Sequence, residues 1–123
     1  MKHTVRIAGV IVGHSELEHT VPEDGRAWGT FRPGLGYELV QPVFRIFARA
    51  VPHDGGATDA KLLEEYYESR EKLQLELQSA RGARIPTSAI HIVDYSVEDG
   101  SMPLRLEVLI SDPAYWNRRA GVR

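Results

Sequence analysis

In the stretches 73–78 and 104–108 the apolar residues of this chain fall on every second position, whereas between Tyr37 and Arg70 an apolar set recurs every third or fourth. Side chains alternate across a strand and line up every three to four residues on a helix, so the chain has to build both element types in separate stretches. Tyr37, Val40, Val43, Phe44, Phe47 and Ala48 predict an amphipathic helix over residues 37–51. Pro42 falls either in its first turn or at a kink, and an alternating strand is the competing reading. After the breaker run Pro52-His53-Asp54-Gly55-Gly56, Leu62, Leu63, Tyr66, Tyr67 and Arg70 predict a second helix over residues 59–70. Thr58 is its expected N-cap and Asp59 suits the first turn.

Leu73, Leu75 and Leu77 alternate with Gln74, Glu76 and Gln78, which predicts a half-buried strand over 73–78. Further strands are expected over 89–95, with Ile90 and Ile92 facing away from His91, Val93 and Tyr95, and over 104–110. Ahead of the helices, residues 4–12 are rich in β-branched side chains and read as one strand covered on both faces and central in its sheet. Residues 14–25 read as a polar loop and 26–31 as a short edge strand. The expected fold is α+β: two helices packed on one face of a largely antiparallel sheet of four to five strands, in the order β-β-α-α-β-β-β, with the last three strands as a meander. Residues 1–117 form a single domain, and 118–123, with Arg118, Arg119 and Arg123, a short basic tail.

Composition narrows the function classes. At 123 residues, 42% hydrophobic and 26% charged, the chain has the make-up of a folded domain. A chain of this length buries roughly 65–70% of its unfolded surface, enough for one core. With no cysteine, thiolate zinc sites, iron–sulfur clusters, thiol nucleophiles and disulfides all drop out. A net charge of −2 argues against nucleic acid as the partner, since that affinity comes from clustered Lys and Arg. The apolar start is interrupted by Arg6 and too short to span a bilayer, so a soluble, cytoplasmic protein without membrane attachment is expected.

The densest set of titratable groups is His14, Glu16, Glu18 and His19. On a strand His14, Glu16 and Glu18 share a face; on a helix His14 and Glu18 do. The residue types suit general acid–base work, or a divalent ion, but the spacing matches no metal motif, and no cofactor or metal is expected. Arg32 precedes Pro33-Gly34-Leu35-Gly36 at a helix start, where an anion could be held, and Trp28 and Tyr37 flank that loop as candidate ligand-binding aromatics. His91 and Asp94, three apart on a strand, face opposite sides and make no dyad; His91 is expected opposite a Gln or Glu of the 73–78 strand. No nucleophile elbow, Walker lysine or dinucleotide fingerprint occurs.

Two functions follow as expectations. The first is a small binding or protein-interaction module without catalytic activity, homodimeric, taking a protein partner or a small-molecule ligand. The alternative is a small hydrolase or isomerase using the loop of His14, Glu16, Glu18 and His19.

Overall fold

The computed structural model describes residues 2–119, with side chains to residue 117. The α+β class holds, but the sheet is larger than expected and is drawn from more of the chain. Eight antiparallel strands precede and follow two long helices, and a short third helix closes the described chain.

The single strand expected over residues 4–12 is a hairpin. Strands β1 (His3–Ile7) and β2 (Val10–Ser15) pair with Ile7 opposite Val10, which leaves Ala8 and Gly9 as a two-residue loop. Both have positive φ, 49° and 81°, as the tight turn whose twist suits a hairpin demands. The expectation of a central strand holds for β1, which pairs with β2 on one side and β5 (Leu75–Gln78) on the other.

The polar stretch that follows is also strand rather than loop. The chain pauses after Ser15, resumes as β3 (His19–Val21), turns through a single 3-10 turn at Pro22–Asp24, and returns as β4 (Arg26–Pro33). Ser15 lies opposite Phe31 and His19 opposite Trp28, so the outgoing side holds one extra residue, a β-bulge. Leu17, with φ 47° and its side chain wholly buried, sits at this kink. The Glu18 carboxylate accepts from the Thr30 amide at 3.1 Å, across the bulge.

β4, expected to be a short edge strand, is instead the centre of the sheet. One side pairs with β2 and β3, the other with β8 (Arg105–Leu109). The complete order is β6-β5-β1-β2-β4-β8-β7, where β6 is Arg84–Ile85 and β7 is Ala89–Val93. The expected three-strand meander does not form: β5 pairs with β1 and β6, and β7 with β8.

Helix α1 (Tyr37–Ala50) tolerates Pro42 within its second turn and presents Tyr37, Val40, Phe44 and Ala48 to the core. It packs on both β2 and β7, which stand three places apart in the strand order, so the sheet curls around it. Helix α2 (Ala60–Lys72) packs on α1. Its cap is Asp59 rather than Thr58: the Asp59 carboxylate accepts from the amides of Lys61 and Leu62, both at 3.1 Å. Tyr66 is its one buried residue. The core joins Val5, Val12, Leu77, Ile92, Leu106 and Val108 of the strands to Val40, Phe44 and Tyr66 of the helices.

The connection between β7 and β8 is lashed to α1. Asp94, 1% exposed, accepts from Tyr37 Oη at 2.5 Å, Gln41 Nε2 at 3.2 Å and the Ser96 amide at 2.9 Å. Burial alone would push its carboxyl up; hydrogen bonds from Ser96, Tyr37 and Gln41 more than offset this and hold it below its ordinary value. Arg45 meets Glu98 in a bidentate pair at 3.0 and 3.1 Å, and Tyr95 Oη donates to the Val51 carbonyl at 2.6 Å.

At the other end, α3 (Pro113–Arg119) docks Tyr115 into the core, and Trp116 Nε1 donates to the Ile110 carbonyl at 2.7 Å. The tail expected at 118–123 lies outside the described residues, apart from the helical backbone of 118 and 119. Among the described residues no helix is long and apolar enough to cross a membrane.

Candidate functional site

Alternation along β7, β8 and β4 puts His91, Glu107 and Trp28 in one cross-strand row, with His19 of β3 continuing it. Val93, Arg105 and Thr30 form the row on one side, and Ala89, Leu109 and Arg26 the row on the other. These side chains face away from Ile90, Ile92, Leu106 and Val108, which the core takes. His91 among them packs against Phe44 and Phe47 of α1 and Tyr66 of α2, and Tyr67 and Arg70 of α2 line the same space. That space is a groove of about 430 Å³.

The groove has an aromatic floor. Tyr66, fully buried, hydrogen-bonds His91 Nδ1 through its hydroxyl. The His91 ring stands edge-on to Phe47 at 4.4 Å and to Tyr66 at 5.4 Å. This fixes the imidazole, and His91 lines the groove. Burial lowers the His91 pKa to about 4; the Glu107 carboxylate pulls it back up, and Arg70 and Arg105 push it further down. The ring is therefore neutral at pH 7. Tyr66 moves the other way, to about 12, through burial, opposed by Arg70.

Three guanidiniums surround this floor against a single carboxylate. Glu107 receives Arg26 at 3.3 Å and Arg105 at 2.8 Å, one on each oxygen. Arg26 also lies over the Trp28 ring at 4.3 Å, and that ring stacks on His19 at 5.4 Å. Arg70 is held differently. Its Cζ lies 5.3 Å from the Tyr66 ring centre and 5.2 Å from that of Tyr67, and it donates a long bond of 3.4 Å to Tyr66 Oη. Among the described residues no carboxylate forms an ion pair with it.

The residues expected to carry function lie in three places. His14, Glu16, Glu18 and Arg32 do come together, in a hollow of about 140 Å³ that Lys2, Ser15 and Thr30 complete. His14 of β2 pairs directly with Arg32 of β4, whereas Glu16 and Glu18 reach the hollow from the kinked segment around Leu17, outside any strand. His14 is also bonded to Thr4 Oγ1 at 3.1 Å, and burial, with Lys2 and Arg6 nearby, lowers its pKa. His19 and Trp28 stack on each other beside the larger groove. Tyr37 is a core residue, 5% exposed, edge-on to Phe31 and bonded to Asp94. Among the described residues no group of three or more His, Asp or Glu is placed to hold a metal ion.

Spacing alone marks none of Arg26, Arg70, Arg105 and Glu107 as a site residue, and it sets His91 opposite the 73–78 strand. The true opposite of His91 is Glu107. The alternation of Arg105 and Glu107 with core residues is visible along the chain, but which strand lies beside them is not. Comparison with protein-family models, curated proteins and solved structures gives no match.

Proposed function

We propose that this protein is a small binding module, without catalytic activity of its own, whose ligand seat is the groove between α2 and the outward rows of β7, β8 and β4. The observation that carries this reading is the construction of the groove. Its size falls in the ordinary range for small-molecule sites. Its floor is a packed aromatic cluster rather than a flexible loop, and its polar groups are tied down: His91 by Tyr66, Arg26 and Arg105 by Glu107. A preformed site of this kind loses little conformational freedom when occupied.

The test is a small-molecule fragment screen observed on the protein by NMR. Perturbations clustering on Tyr67, His91, Val93 and Arg105 support the groove; perturbations elsewhere, with these residues silent, overturn it. The reading carries the further expectation of a cytoplasmic homodimer, whose assembly state sedimentation at micromolar concentration decides.

A second reading, an acid–base hydrolase or isomerase, draws its support from the hollow that gathers His14, Glu16 and Glu18 beside Arg32, with His19 two residues past Leu17. Turnover of model esters or isomerisable carbonyl compounds, abolished by Glu16→Ala or His14→Ala, would establish it. Absence of turnover above the buffer rate removes it.

A further inference from the structure

We infer that the groove takes a small molecule bearing a carboxylate or phosphate on an apolar, ring-containing body, with Arg70 as the anchoring cation; the inference rests on the groove being the ligand seat.

Charge decides the class. Three guanidiniums line the groove, and the one carboxylate, Glu107, is shared between two of them. The imidazole lining the same space is neutral, so it adds no charge but offers a ring nitrogen for hydrogen bonding. The lining thus carries surplus positive charge in a chain that is net negative overall. A ligand cation would meet at least two unfavourable guanidiniums, and a neutral ligand would leave the surplus unanswered. An oxyanion meets planar donors that match a carboxylate or phosphate in geometry.

Arg70 is the group poised for it. The other two arginines already share an acid, whereas Arg70 is held by the faces of Tyr66 and Tyr67. Rings orient a guanidinium without using up its N–H donors in the ring plane. One Arg70 N–H goes to Tyr66 Oη in a long bond, and the guanidinium carries four more, so the fork is ordered and still able to bind. The remaining walls, Phe47, Val93, Tyr95 and Leu109 with the half-exposed Tyr67, are apolar or aromatic, and they suit a flat body attached to the anion.

The experiment follows amide and side-chain NMR signals of the full chain during titration with benzoate, phenyl phosphate, inorganic phosphate and benzamide. Benzoate and phenyl phosphate are expected to give saturable shifts at Tyr67, Arg70, His91 and Val93, with benzamide and inorganic phosphate at least about tenfold weaker. Arg70→Gln should weaken the ring-bearing anions by about tenfold while leaving signals of the Asp94 anchor in place, which shows that the variant is folded. Arg70→Lys, which keeps the charge but loses the planar fork, should fall between. Benzamide shifting the groove as strongly as benzoate would overturn the anion while leaving the groove as a seat. Inorganic phosphate matching phenyl phosphate would overturn the ring-bearing body. Probes that move nothing at all would overturn the anion class and leave the seat to the fragment screen, whereas probes that move the hollow of His14 and Arg32 with the groove silent would overturn the inference together with the seat.

Discussion

His91 shows how a buried ring couples ligand site and stability. Its pKa is near 4 in the fold and near 6.5 when unfolded, the difference arising first from burial. Between these values the unfolded chain binds a proton that the native protein refuses. The contribution of His91 is therefore complete above about pH 6.5 and is lost as pH falls toward 4. The shift corresponds to roughly 3 kcal/mol at its limit. Urea unfolding at pH 7 and pH 4.5 should show this loss in the wild type and a shallower pH slope in His91→Gln, and NMR titration should find the imidazole signal moving near pH 4. A midpoint near 6.5 would mean that water reaches the ring freely. Nothing in the sequence marks this histidine over the other four, because its burial comes from aromatic residues on two different helices, Phe47 and Tyr66.

Among the elements, the helices are the most legible, since an apolar stripe recurring every three or four residues fits the helical period and no other. The second cap sits one position later than expected, at Asp59 instead of Thr58, a choice between two good capping residues that only backbone geometry settles. The first hairpin is hidden because Ala8-Gly9 interrupts a run that is apolar on both sides, and alanine seldom accepts a positive φ. The β2–β4 contact depends on a feature equally hard to see. A Cβ added to Gly13 would lie 2.3 Å from Phe31 Cζ and 2.5 Å from the Arg32 carbonyl oxygen. The ring could rotate away, but the carbonyl belongs to the ladder and cannot. Gly13→Ala is expected to cost roughly 3 kcal/mol, read as a lowered urea midpoint at unchanged slope. A midpoint within error of the wild type would show that β2 and β4 can separate locally at no cost.

For the molecule as a whole, the α+β class can be read from the two apolar periods, but strand order cannot. A period tells which face a side chain takes and is silent on which strand lies beside it. Both candidate sites depend on that missing information: the hollow exists because β2 lies beside β4, and the groove because β7, β8 and β4 are neighbours beneath α2. Asp94 ties these layers together, joining α1 to the segment after β7. Asp94→Ala would strand the buried Tyr37 hydroxyl, at about 1–3 kcal/mol. For a domain this size that lowers Tm by roughly 5 °C or more by calorimetry. An unchanged Tm would mean that the Arg45–Glu98 pair holds the segment by itself.

β4 needs partners from both directions along the chain. β2 and β3 come just before it, whereas β8 follows only after both long helices and three further strands. During synthesis its second edge therefore stays unpaired until Leu109 has left the ribosome, so the central strand cannot be completed early. Refolding should be correspondingly slow, on the scale of milliseconds to seconds expected where distant pairings dominate. A chain released before Leu109 would display an unsatisfied strand edge over its apolar interior, the kind of surface on which chaperones act and aggregates grow.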